Sequence, residues 1–131
     1  MSAQILVIED NAANLDLIMY LLVALGYRVA SERDGRLGLQ RAMSGNYDLV
    51  LTDVLMPGVD GYELVRRLKA DPDHAHTPVV AVTALAMAGD REKILAAGFD
   101  GYISKPIEPR HFAAEVASFL AKGASGPSID R

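Results

Sequence analysis

Leu49-Val50-Leu51-Thr52-Asp53-Val54-Leu55-Met56-Pro57-Gly58-Val59-Asp60-Gly61 is the stretch on which the fold turns. Its first four residues form a short apolar and β-branched run. That is the pattern of a strand covered on both faces, as in a parallel sheet. Asp53 follows at once. Met56-Pro57-Gly58 makes a loop, and Asp60 stands where it can cap a helix over residues 61–70, with Leu64, Val65 and Leu68 turned inward. A buried strand therefore ends in a carboxylate, and a helix brings the chain back.

The same unit recurs on both sides. Ile5-Leu6-Val7-Ile8 reads as a buried strand, followed by a helix over Asn14–Leu25 that Gly26 stops. Residues 27–32 alternate and read as a second, less buried strand. Asp34-Gly35 marks a turn, and Leu37–Met43 a short helix closed by Ser44-Gly45-Asn46. After the central unit, residues 78–83 form a fourth strand, a helix lies between Met87 and Ala97, Gly101–Ser104 form a fifth strand, and the last helix spans Pro109–Ala121. Strand–helix units in series predict an α/β fold, a doubly wound five-stranded parallel sheet with helices on both faces and right-handed crossovers. One domain is expected over residues 1–122, with a flexible tail over 123–131 that opens on Gly123-Ala124-Ser125-Gly126-Pro127-Ser128.

Composition narrows the function. The 131 residues are half hydrophobic, enough for one ordered core. Thirteen Lys and Arg stand against 17 Asp and Glu, a net charge of −4, which speaks against direct nucleic-acid binding. The absence of cysteine excludes disulfides, thiolate metal sites and Cys nucleophiles, and fits a reducing cytoplasm. Met1-Ser2-Ala3-Gln4 lacks the basic start of a signal peptide. The longest apolar run, Leu17–Leu25, is interrupted by Tyr20 and falls well short of the ~20 residues that cross a bilayer, so no membrane partner is expected.

The chemistry collects where parallel strands end, because ligands of such sheets bind beyond the carboxyl edge. Glu9 and Asp10 follow the first strand, Asp53 the third, Thr83 the fourth and Lys105-Pro106 the fifth. Carboxylates crowded together without imidazole or thiolate call for a hard cation such as Mg²⁺. A metal, a Lys and a Thr can hold the oxygens of a phosphoryl group while an Asp acts as nucleophile. Each residue also has a plainer reading. Glu9 and Asp10 could cap the first helix, Thr83 could be an ordinary strand residue, Lys105 a surface lysine and Tyr102 a packed strand aromatic. His74 and His76, two apart in a polar loop, read as solvated and not as metal ligands, and His111 reads as surface. Leu85 and Met87 lie in a segment that could dock a partner.

Four motifs in this order resemble the response-regulator receiver domains: Ile5-Leu6-Val7-Ile8-Glu9-Asp10-Asn11, Leu51-Thr52-Asp53 through Asp60-Gly61, Val79-Val80-Ala81-Val82-Thr83-Ala84, and Gly101-Tyr102-Ile103-Ser104-Lys105-Pro106. The resemblance covers Gln4 to about Ala121. It implies the flavodoxin-like strand order 2-1-3-4-5 and a Mg²⁺-dependent switch. Asp53 then matches the phosphoacceptor, Asp10 a direct metal ligand, Glu9 a ligand acting through water, and the Leu55 backbone carbonyl a further ligand. Thr83 and Lys105 match the groups that hold the phosphoryl oxygens, the Lys105–Pro106 bond is expected to be cis, and Thr83 with Tyr102 matches the switch pair. The implied donor is a sensor histidine kinase or a histidine phosphotransfer protein. With no second domain in view, output is expected through a downstream protein partner or onward relay, in a signalling protein and not an enzyme of metabolism. Two rivals are weaker. An aspartyl-phosphate hydrolase would place an acid two residues after the nucleophile, where this chain has Leu55. A flavin or nucleotide module would want a Gly-rich first loop, where this chain has Glu9-Asp10-Asn11-Ala12-Ala13.

Overall fold

The computed structural model describes residues 2–85 and 87–125. The elements run β1 (Gln4–Ile8), α1 (Ala12–Ala24), β2 (Arg28–Glu32), α2 (Gly35–Ser44), β3 (Leu49–Thr52), α3 (Gly61–Ala70), β4 (Val79–Thr83), α4 (Ala88–Ala96), β5 (Gly101–Ser104) and α5 (Pro109–Ser125). The five strands are parallel in the order β2-β1-β3-β4-β5. The order reverses between β1 and β3, so the crevice for a ligand opens at the ends of those two strands.

Alternation along each strand divides the core into two layers. Ile5, Val7, Leu49, Leu51, Val80, Val82 and Ile103 face one side, where Leu15, Ile18 and Leu22 of α1 and Phe112 and Val116 of α5 cover them. Leu6, Ile8, Val50, Val79 and Ala81 face the other side, under Leu39 of α2, Leu64, Val65 and Leu68 of α3, and Ile94 of α4. Leu64 is fully buried, and truncating such a residue to Ala costs about 2–5 kcal/mol.

Several boundaries move from the sequence expectation, each for a local reason. Helix α1 starts two residues early because Asn11 is its N-cap, its side chain accepting from the Asn14 amide at 2.9 Å. Glu9 and Asp10 are thereby released from the capping role. Tyr27 is outside β2; its amide donates to the Leu22 carbonyl and closes α1, with Gly26 at φ +93°. Helix α2 starts at Gly35, because Asp34 caps it through the amides of Arg36 and Leu37. Helix α5 continues through Gly123 to Ser125, into the stretch expected to be a flexible tail. Residues 126–131 of that expected tail lie outside the described residues.

His74 is a correction. The polar loop suggested a solvated side chain, but residues 71–77 fold back on the end of α2 and bury it. Its Nδ1 lies 2.8 Å from Asp71 Oδ2 and its Nε2 3.2 Å from the Gly45 carbonyl. His76 and His111 are exposed.

Candidate functional site

The strand ends bring Glu9, Asp10, Asp53, Thr83 and Lys105 to the same edge of the sheet. β1 and β3 are in register, with Ile8 beside Thr52, so the residues that follow them emerge side by side. The Asp53 amide donates to the Ile8 carbonyl at 3.0 Å, which fixes the phosphoacceptor candidate against β1. Thr83 pairs with Ser104, which places Lys105 one residue beyond β5 next to the end of β4. The Lys105 amide donates to the Thr83 carbonyl at 2.9 Å, and the Lys105–Pro106 peptide bond is cis.

Helix α3 returns so closely that Gly61 has no room for a side chain. A Cβ there would meet the Asp53 carbonyl and the Val54 backbone, and the Gly61 amide donates to the Val54 carbonyl at 2.7 Å. The loop from Asp53 to Asp60 is thus pinched shut at its base. Leu55 lies on that loop with its side chain 60% exposed.

Carboxylate oxygens of Glu9, Asp10 and Asp53 all lie within 4.8 Å of one another. Lys105 Nζ partly neutralises them, at 2.9 Å from Glu9 Oε1 and 3.0 Å from Asp53 Oδ2. The contact with Glu9 is an ion pair lying off the hydrogen-bond direction, so Glu9 Oε1 is buried with charge compensation but without a hydrogen-bond partner among the described residues. Burial raises the Glu9 carboxyl above its ordinary range; the adjacent Lys105 ammonium and the Asn11 amide oppose that, and the Asp53 charge adds to it. Burial by itself depresses the Lys105 ammonium, yet Glu9 and Asp53 together outweigh it and raise the group. A buried carboxylate oxygen without a hydrogen bond, beside two half-buried carboxylates, is a donor set suited to a hard divalent ion.

Asp53 Oδ1 accepts from the Val54 amide at 2.7 Å, which orients the carboxylate. Thr83 is buried, and its Oγ1 accepts from the Leu85 amide at 3.1 Å, leaving the hydroxyl proton free to donate. Tyr102 pairs with Ala81 in register, two residues before the Thr83 rung and on the same face. It is half-buried against the α2–α4 core, under the Arg91 guanidinium at 5.6 Å from the ring centroid. The sequence reading passed over Arg33, whose Nη2 donates to the Asp10 carbonyl at 3.1 Å. An exposed arginine 23 positions away carries no sequence signal for that contact.

Residues 5–117 match the response regulator receiver domain family. The chain belongs to that family. It is 40% identical to the polar-differentiation response regulator DivK of Brucella ovis over 120 residues, covering 92% of this chain and 98% of the relative. The receiver domain of sensor histidine kinase PA1611 from Pseudomonas aeruginosa, solved with a magnesium ion coordinated in the active site cleft, is 34% identical with a TM-score of 0.86, covering 93% of this chain and 100% of that one. A response regulator structure from Chloroflexus aurantiacus superposes with a TM-score of 0.88 at 28% identity, over 93% of this chain and 100% of that one. The chain is thus a receiver domain of two-component signalling, a phosphorylation-dependent switch with the flavodoxin-like fold. Among the described residues no helix is long and apolar enough to cross a membrane.

Proposed function

We propose that Asp53 takes the phosphoryl group from a phosphohistidine on a sensor kinase or phosphotransfer protein, with Mg²⁺ held by Asp10, Asp53, the Leu55 carbonyl and, through water, Glu9. The observation that carries this reading is the acidic cluster of Glu9, Asp10 and Asp53, in which Lys105 bridges Glu9 to Asp53. The bound ion supplies charge neutralisation for the crowded carboxylates and the incoming phosphoryl oxygens. A carboxylate oxygen of Asp53 forms the new O–P bond as the N–P bond to the donor imidazole breaks. Asp53 is held for this by the Val54 amide. The Lys105 ammonium, already beside Asp53, moves with the negative charge onto a phosphoryl oxygen. The Thr83 hydroxyl donates to another.

Drawing Thr83 toward the phosphoryl group opens space on the face it shares with Tyr102, and the aromatic ring then moves in. Such a two-position element changes the surface formed by α4, β5 and α5. Met87, at the start of α4, is exposed and suits a downstream protein partner, whereas Leu85, expected beside it, is half-buried against the core. The donor must reach Asp53 past α1, which leaves the site directly after Asn11 and exposes Leu17, Tyr20 and Val23. We place the protein in the cytoplasm, as a signalling phosphoprotein and not a turnover enzyme, with no direct contact to nucleic acid or membrane.

The test is transfer from a phosphorylated kinase or a small phosphodonor. The parent should acquire an adduct that mass spectrometry maps to Asp53, and Asp53→Asn should acquire none. Equal labelling of Asp53→Asn would reject the assignment.

A further inference from the structure

The turn between β2 and α2 reaches both loops that carry the acidic residues. Arg33, the first residue after β2, donates from Nη2 to the backbone carbonyl of Asp10 at 3.1 Å. Gly35, two residues later, lies directly against the Val59 carbonyl of the β3–α3 loop, so closely that a Cβ could not be placed there. One turn therefore braces the loop that carries Asp10 and the loop that follows Asp53.

From this bridging contact we propose that Arg33 is a positioning residue for the metal site, acting by holding the Asp10 peptide. The inference rests on the Mg²⁺ reading above. On either side of Asp10 the chain is already tied: the Glu9 amide donates to the Glu32 carbonyl at 3.0 Å, and the Asn11 amide to Glu9 Oε2 at 3.1 Å. The Asp10 carbonyl receives its tie from the guanidinium. Mg²⁺ demands near-octahedral geometry at short metal–oxygen distances, so a ligand on a loosened peptide binds less well. Arg33 is exposed, and its side chain is free to be changed without opening the core.

Charge opposes this effect, because a cation beside the site repels a dication. The two contributions separate with salt. At ~0.5 M salt the repulsion between exposed charges is largely screened, while the hydrogen bond persists. The experiment is a Mg²⁺ titration of the full chain at ~0.1 M and ~0.5 M salt, followed by amide shifts, for the parent, Arg33→Met, Arg33→Lys and Asp10→Ala. At high salt Arg33→Met should bind Mg²⁺ ~3–10-fold more weakly, the worth of one net hydrogen bond. Arg33→Lys, which keeps a donor, should return to within ~2-fold of the parent. Phosphorylation of Arg33→Met at saturating Mg²⁺ should reach the parental rate, since the residue acts on metal binding and not on transfer. Parental affinity in Arg33→Met at high salt, failure of Lys to rescue, or a maximal rate that stays low would each overturn the proposal. Failure of the metal reading itself would look different: the parent would show no saturable Mg²⁺ binding, or Asp10→Ala would bind as well as the parent.

Discussion

Lys105→Met should weaken the metal-free protein and make it more responsive to Mg²⁺. The ammonium stands 2.9 Å from Glu9 and 3.0 Å from Asp53, with side-chain exposures of 15% for the lysine, 2% for Glu9 and 14% for Asp53. Ion pairs on the surface contribute about 0–1 kcal/mol. Removing one partner of a buried pair costs about 3–5 kcal/mol, because the charge left behind is uncompensated. This cluster is mostly covered but opens on one side, so a loss of about 2–3 kcal/mol is expected. For a domain of this size that lowers the unfolding midpoint by roughly 8–10 °C. The same vacancy leaves Mg²⁺ with no ammonium to displace. If affinity rises ~10-fold, saturating metal returns about 1.4 kcal/mol more to the variant than to the parent. The assay is thermal unfolding with chelator and with ~10 mM Mg²⁺, a concentration set by weak hard-ion sites. A variant that melts with the parent in chelator, and gains no more than the parent from Mg²⁺, would show that Lys105 does not neutralise the cluster.

Three further outcomes follow from the same geometry. Asp10→Ala should lose most Mg²⁺ affinity in an NMR titration while melting close to the parent, since Asp10 is only half-buried and Asn11, not Asp10, caps α1. His74 bonds two acceptors, Asp71 and the Gly45 carbonyl, which only the imidazolium satisfies together; the Asp71 bond, with Asp71 and Asp73 charges adding, raises its pKa against the effect of burial. Its contribution is therefore full below the unfolded value of 6.5 and is lost as pH rises through the higher folded value, so the urea midpoint should fall as pH rises above 6.5, and less so in His74→Asn. Addition of beryllofluoride should shift amides at Tyr102 and along α4 as well as beside Asp53, and Thr83→Ala should confine the shifts to the neighbourhood of Asp53.

The fold was legible because β1, β3 and β4 are covered on both faces and read as nearly unbroken apolar runs. Leu49–Thr52, Gly61–Ala70 and Gly101–Ser104 lie where the patterns put them. The site was legible to the extent that it sits at strand ends, where topology alone brings Glu9, Asp10, Asp53, Thr83 and Lys105 together. What stayed hidden depends on contacts between distant segments. The start of α2 was missed because Gly35 reads as a turn residue, and only the close approach of Val59 shows why a glycine opens that helix. The burial of His74 was missed because it requires the end of α2 to supply a carbonyl 29 positions away. The extension of α5 was missed because Gly123 and Ser125 are poor helix formers, whereas Gly123 lies within van der Waals reach of Pro78 at the start of β4, where a longer residue would not fit.

The lifetime of the phosphorylated form should depend on two leucines. Hydrolysis of an aspartyl phosphate needs a water molecule in line with the phosphorus, opposite the Asp53 oxygen. Leu55 lies two residues after Asp53, with 60% of its surface exposed on the loop over the site. Leu85 lies two residues after Thr83 and is tied to it, its amide donating to Thr83 Oγ1 at 3.1 Å. It is half-buried and packs on the α2–α4 core. Neither side chain can orient a water by a hydrogen bond. The phosphorylated protein should therefore be long-lived in the absence of a phosphatase. Leu55→Asn with Leu85→Glu places polar groups at both positions, and a ~10-fold faster decay corresponds to ~1.4 kcal/mol removed from the barrier. The measurement is loss of radiolabel from isolated phosphoprotein in excess Mg²⁺. Decay at the parental rate or slower in the double variant would show that access of water is set elsewhere, in Lys105 or in the metal shell, and the Asp53 assignment would stand on its own labelling test.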